Sequence, residues 1–292
     1  VVITGATDGI GRAAAARFVA LGAHTVLVGR DAAKTEAVAR ALQGAGAGPV
    51  SWDVADLSRN DAVTALADRL RGRHPAIHVL ANNAGALFLK RDITVDGVER
   101  TRALNHLAYV RLTLALLDPL LAAASPGTPA RVLCVSSRAH ENARVDLDDL
   151  PLARGYGGWR AYANSKLCNI WFARGLAQRL DPSLVVAHSL HPGVVRTRFA
   201  ENNGRLGRLL RRVMDLVSVT PEAGADTLTW LASAPDALEG SGSYWVRRRR
   251  ARPSRDACDT TLAERCWAVT DTLLRLDADA LLRDAMARHA AR

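Results

Sequence analysis

Short, almost wholly apolar runs alternate along this chain with longer stretches in which apolar side chains recur every three or four positions. The short runs lie at 1–4, 25–28, 50–52, 77–81, 131–136 and 184–190, with a last one at 244–246. Their apolar residues are consecutive rather than alternating, as strands covered on both faces require. The stretches 9–21, 32–43, 60–71, 98–121 and 161–180 carry the helical period. Strands and helices alternating through short connections predict an α/β fold, a doubly wound parallel sheet of about seven strands with helices on both faces. No repeat or linker divides the 292 residues, so 1–292 reads as a single domain. The alternation lapses after Gly193 and again near Gly240. A substrate lid is expected over 194–220 and a C-terminal flap and helix over 240–292.

Composition supports this reading. Hydrophobic residues make up 49% of the chain, enough for a large core. No run approaches the roughly 20 apolar residues of a membrane span; the apolar stretch 112–124 contains Asp118 and Pro119 and reads as a buried helix end. No basic region precedes the opening strand, so no signal peptide is expected. Cys134, Cys168, Cys258 and Cys266 are scattered without metal-ligand spacing, which predicts free thiols, no metal site and a cytoplasmic location. The net charge of +10 is concentrated at Arg247–Arg250 and at Arg205, Arg208, Arg211 and Arg212. No nucleic-acid motif or aromatic platform accompanies these arginines, so a solvated basic face is expected and no nucleic-acid partner. Peripheral contact with an anionic membrane surface stays open.

Candidate chemistry sits at the strand ends, where open α/β sheets bind ligands. Val1-Val2-Ile3-Thr4-Gly5-Ala6-Thr7-Asp8-Gly9-Ile10-Gly11 runs from a strand through glycines into an alanine-rich helix. Such a turn lets backbone approach a pyrophosphate, and the helix start presents unpaired N–H groups to it. The spacing, Gly-x-x-x-Gly-x-Gly, differs by one residue from the commoner dinucleotide fingerprint. Asp53-Val54, Asn82-Asn83-Ala84-Gly85, Ser136-Ser137 and His191-Pro192-Gly193 close later strands. Tyr162 and Lys166, four apart, share one face of a predicted helix. An ammonium near a phenol favours phenolate, so the lysine is expected to draw the tyrosine below its usual pKa of roughly 10. Alone this pair is a weak signal.

In this order the motifs resemble the short-chain dehydrogenase/reductase family, with its Rossmann-type fold, across essentially the whole chain. Val135-Ser136-Ser137-Arg138-Ala139-His140, Asp148-Asp149-Leu150 and the stretch from Trp159 to Leu167 are similar to the retinol-dehydrogenase-like branch, as is the tail from Pro253 to Trp267. The resemblance implies an oxidoreductase that moves hydride between a nicotinamide cofactor and a carbonyl/alcohol pair on a lipophilic small molecule. It makes Tyr162 the acid/base, counts Tyr162 and Lys166 among the cofactor-binding residues as well, and has Lys166 hold the nicotinamide ribose. Ser137 would donate to the substrate oxygen, and Asn105 would support a water and proton relay to the lysine. Ser136 is adjacent and is not excluded by the residues alone. For the cofactor, the resemblance puts Thr4, Gly5, Gly9, Ile10 and Gly11 at the pyrophosphate and Asp53 and Val54 at the adenine. Asn82, Ala84 and Gly85 fall beside the adenine ribose, and Pro192, Gly193, Val194 and Thr197 along the nicotinamide.

NAD preference asks for a carboxylate at the end of the second strand. Here Gly29 holds that position and Arg30 follows, a guanidinium suited to a 2′-phosphate, and Arg12 adds a second cation. Asp31 is the counter-signal, though it also reads as a helix N-cap. NADP(H) is expected, with NAD(H) left open. Residues 204–217 alternate arginines with Leu206, Leu209, Leu210, Val213 and Met214, as an ordering lid with an apolar wall would. Homo-oligomerisation through the helices at 98–121 and 161–180 stays open. The competing reading is a non-catalytic NADP(H)-sensing regulator of the same fold; the presence of Ser137, Tyr162 and Lys166 together weighs against it.

Overall fold

Eight strands join in one sheet in the computed structural model, which describes residues 1–149, 152–193 and 219–291. The first half runs β1 (Val2–Thr4), α1 (Gly9–Ala20), β2 (Thr25–Gly29), α2 (Ala32–Gln43), β3 (Val50–Val54), α3 (Asn60–Arg73) and β4 (Val79–Asn82). After a loop come α4 (Arg100–Arg102), a π-helical turn (Ala103–Leu107), α5 (Ala108–Ala115), α6 (Leu117–Ala123) and β5 (Ala130–Val135). The chain continues through a 3₁₀ turn (Arg138–Asn142), α7 (Gly158–Arg179) and β6 (Val185–His191). It closes with α8 (Pro221–Ser233), β7 (Tyr244–Val246), β8 (Arg249–Ala251), α9 (Arg255–Cys258), α10 (Thr260–Leu274) and α11 (Ala278–Ala290).

The strand order is β3-β2-β1-β4-β5-β6-β7-β8, parallel throughout except for β8. Successive residues serve opposite faces. Ile3, Leu27, Ala81 and Leu133 pack with Phe18, Val38 and Leu228 of α1, α2 and α8. Val2, Val26, Leu80 and Val132 pack with Leu66, Leu112 and Phe172 of α3, α5 and α7. Two buried faces explain why the strands read as unbroken apolar runs. The order reverses between β1 and β4, which opens a crevice at their carboxyl ends.

Two expectations change. The sheet has eight strands rather than about seven, because part of the arginine run forms the antiparallel strand β8. Arg247 and Arg248 take positive φ, 51° and 60°, in the β7–β8 turn, a conformation that Asn-Gly usually signals. The helix expected over 98–121 is broken. A π-helical turn interrupts it at Ala103–Leu107, and a 61° bend separates α5 from α6, where Pro119 sits in a first turn that needs no N–H from it. Among the described residues no single helix is long and apolar enough to cross a membrane. The proposed lid, with Val194, Thr197 and 204–217, lies outside the described residues, apart from Val219 and Thr220.

Candidate active site

A crevice of about 460 Å³ runs over the carboxyl ends of β1, β2, β4, β5 and β6. At one end, Gly5, Gly9, Ile10 and Gly11 line it where α1 begins. Asp8 caps that helix, accepting from the Gly9 N–H at 3.0 Å, and pairs with Lys34 at 2.8 Å. The glycines answer to packing as much as to ligand access. A Cβ on Gly5 (φ +66°) would come within 2.8 Å of the Ala84 Cα, and one on Gly11 would strike the Gly5 carbonyl and lie 2.6 Å from Asn83 Nδ2. The turn is thereby pressed onto the end of β4. Thr4 locks this junction from inside, its hydroxyl accepting from the Asn83 and Ala84 N–H groups at 2.9 and 3.0 Å.

The opposite wall carries Ser137, Tyr162 and Lys166. Ser136 and Ser137, equivalent in the sequence, part company here. Ser136 is buried and donates to the Lys166 carbonyl at 2.7 Å, whereas the Ser137 hydroxyl hydrogen-bonds Tyr162. His140 steadies this loop from both sides: its Nδ1 donates to the Ser137 carbonyl at 2.6 Å, and its Nε2 accepts from the Ser254 N–H at 3.1 Å.

Lys166 is 2% exposed and donates to the Val135 carbonyl at 3.0 Å. Its Nζ lies 5.5 Å from the centroid of the Tyr162 ring, over the ring. Burial lowers the lysine to about 8, which leaves it cationic near neutrality. Tyr162 departs from expectation: burial pushes it up to about 12, with only the Ser137 hydrogen bond acting the other way. In this arrangement the ammonium does not draw the phenol down; its hydrogen bond goes to the strand carbonyl instead.

Asn105 lies within the π-helical turn, behind Gly85. Its Oδ1 accepts from the Ala86 N–H at 2.9 Å, and its Nδ2 donates to the Ala86 carbonyl and to Ser165 Oγ at 3.0 and 3.1 Å. A Cβ on Gly85 would lie 3.3 Å from both Asn105 Oδ1 and Lys166 Nζ, a contact tight enough that one of them would have to give by a few tenths of an ångström. Asn169, which sequence reading passed over, ties these groups together. Its Nδ2 donates to the Asn105 carbonyl at 2.9 Å and, at 3.2 Å, to the Val135 carbonyl that Lys166 also uses.

Other expected cofactor residues fall less evenly. Ala84, Gly85, Pro192, Gly193 and Arg30 line the crevice, and Lys34 joins them. Arg12 is exposed on α1 and away from that lining. Asp53 and Val54 do not line it; Ala55, Asp56, Leu57 and Ser58 do. The buried Asp53 carboxylate is held by Arg69 at 2.9 Å and by Arg73. Asn82 points into the protein and donates to Thr113 Oγ1 at 3.0 Å, while Asn83 faces the crevice and donates to the Thr4 carbonyl at 2.8 Å. Asp31 is an N-cap, accepting from the Lys34 N–H at 2.8 Å. A Cβ on Gly29 would strike Thr35 Oγ1 and lie 2.7 Å from Thr7 Cγ2, so no carboxylate fits there without rearrangement.

The glycine turn at a helix start and the cations Arg30 and Lys34 beside the end of β2 suit an elongated anionic dinucleotide. Fold and crevice together define a dehydrogenase of the doubly wound α/β class. Residues 1–205 match the family described as short chain dehydrogenase. A protein of Streptomyces sp. (strain C5), provisionally named a daunorubicin C-13 ketoreductase, is 39% identical over 279 residues, covering 93% of each chain. Retinol dehydrogenase 14 of Mus musculus is 35% identical over 289 residues, covering 94% of this chain and 85% of its own. Among solved structures, a short-chain dehydrogenase from Sphingobium yanoikuyae in complex with NADPH superposes with a TM-score of 0.63 at 26% identity, over 82% of this chain and 84% of that one. The chain belongs to the short-chain dehydrogenase family, in its retinol-dehydrogenase-like branch, and is an oxidoreductase acting on CH–OH donors.

Proposed function

We propose that this oxidoreductase is NADP(H)-dependent and interconverts an aldehyde or ketone with its alcohol on a lipophilic small molecule, with Tyr162 as acid/base. The observation that carries the reading is the convergence of Ser137, Tyr162 and Lys166 on one wall of the crevice. When bound, the nicotinamide supplies or accepts the hydride. The Tyr162 hydroxyl, protonated across the neutral range, gives its proton to the oxygen that gains negative charge during reduction and takes it back from an alcohol. The Ser137 hydroxyl donates to the same oxygen and stabilises that charge. Lys166 keeps a positive charge behind the phenol, and Asn105 and Asn169 hold its surroundings.

NADP(H) preference is supported by Arg30 and Lys34 in the lining, by the crowding around Gly29 and by the NADPH carried by the Sphingobium relative. Trp159, 50% exposed at the crevice edge with its ring 5.7 Å from that of Tyr162, offers an apolar surface to the substrate. The test is NADPH consumption with a panel of aldehydes and ketones, with NADH in parallel. Tyr162→Phe is expected to lower kcat by about 10²–10⁴-fold while NADPH still binds. Tight NADPH binding with no turnover of any carbonyl would instead favour the sensing regulator.

A further inference from the structure

On the far side of α7 from the crevice, two cysteines 98 residues apart in sequence meet. Cys168 lies two residues beyond Lys166, and Cys266 lies on α10. The Cys266 thiol donates to Cys168 Sγ at 3.6 Å. Both are buried, yet both border a narrow cleft between α7 and α10 that Trp171 and Trp267 also line. The buried Arg102 donates from Nη1 to Cys168 Sγ at 3.6 Å. A guanidinium and a thiol both donating to one sulfur is the environment of a thiolate with a resolving partner.

We propose that Cys168 and Cys266 form a peroxide-oxidisable dithiol whose disulfide cross-links α10 to the helix bearing Tyr162 and Lys166. Cys168 is the attacking sulfur: the Cys266 hydrogen bond and, behind it, the charge of Arg102 lower its pKa against burial, while that bond and burial push Cys266 up. The Cys168 thiolate attacks one oxygen of a hydroperoxide and breaks the O–O bond, giving a sulfenic acid and releasing the other oxygen as an alcohol or water once it takes a proton. The Cys266 sulfur then attacks the sulfenic sulfur, forming the S–S bond and expelling water. The two thiols together lose two electrons and two protons, and the peroxide is reduced. The sulfurs must close from 3.6 Å to about 2.05 Å, so oxidation draws α10 onto α7 beside Asn169.

His106 completes a buried group whose ligand atoms lie within 4.8 Å of one another, the arrangement a soft cation would use. Two features favour the dithiol. Both His106 ring nitrogens are already engaged, Nδ1 with Asn169 Oδ1 at 3.1 Å and Nε2 with Thr270 Oγ1 at 3.2 Å. Arg102 also places positive charge against the sulfur that a metal ion would share.

The test treats the reduced, native protein with hydrogen peroxide, alkylates the remaining thiols after denaturation and maps non-reduced peptides. Of the four cysteines, two are expected to escape alkylation, joined as a Cys168–Cys266 peptide that dithiothreitol releases. In Cys266→Ser the sulfenic acid at Cys168 should be trapped by dimedone; in Cys168→Ser, Cys266 should remain a thiol. Four alkylated thiols in the treated wild-type protein, or a linkage through Cys134 or Cys258, would overturn the proposal. Retention of one zinc ion per chain that protects both sulfurs from peroxide would also overturn it, in favour of a metal site.

Discussion

Lys166 donates to the Val135 carbonyl, and Asn169 donates to the same oxygen. When the lysine turns toward a ligand, the strand carbonyl therefore keeps a partner, which lowers the cost of that movement. Asn169→Ala leaves the Asn105 carbonyl without its donor and Val135 with only the lysine. It is expected to lower unfolding free energy by about 1–3 kcal/mol in urea denaturation, and unchanged stability would remove Asn169 from this role. At the other end of the crevice, Arg30 and Lys34 are the cations that line it and Arg12 is not. Arg30→Ala is expected to weaken NADPH binding by roughly 10–100-fold, the loss of one charge-assisted contact, with little change for NADH. Titration of both cofactors by fluorescence checks this, and equal losses would count against a 2′-phosphate contact.

Among the elements, the α10 terminus shows local geometry at odds with residue type. Arg275 ends the helix in the left-handed region at φ 53°, a position that favours glycine. Its side chain is exposed, so Arg275→Gly should relieve about 1 kcal/mol of backbone strain and raise the melting temperature; a lower melting temperature would show that the side chain holds the helix end. The π-helical turn is an element-scale device of another kind. It lies where Asn105 reaches Ala86 and Ser165 while its own carbonyl accepts from Asn169. Apolar patterning over 98–121 does not register that turn, because nearly every residue from Thr101 to Leu121 is buried, so the rotation of about 100° that one extra residue adds brings another apolar face to the core.

Over the whole molecule, buried neutral histidines set the acid side of stability. Burial lowers His106 to about 3 and His188 and His191 to about 4. In the unfolded chain they titrate near 6.5. Between those values the unfolded state binds more protons than the folded one, so stability falls as pH falls from about 6.5 toward 4. The expected loss is up to about 1.4 kcal/mol per pH unit for each histidine. Unfolding by denaturant at pH 7.5 and pH 5 checks it, and equal midpoints would show these rings protonated in the fold or accessible to solvent.

Sequence alone determined what depends on near neighbours. The strand–turn–helix of residues 1–20, the apolar strands, the Tyr162–Lys166 spacing and the absence of a carboxylate at Gly29 all follow from local pattern. Only the tertiary structure chose between adjacent polar residues. The Ser137 hydroxyl meets Tyr162 while that of Ser136 is taken by the Lys166 main-chain carbonyl, and Asn83 rather than Asn82 lines the crevice, because Thr113 holds the Asn82 amide on the other side. That Arg69 and Arg73 of α3 hold the Asp53 carboxylate is likewise a contact between residues 16 and 20 positions apart. The desolvation of the half-buried Tyr162 and the meeting of Cys168 with Cys266 also arise only when distant segments pack, since desolvation and long-range contact have no signature in local spacing.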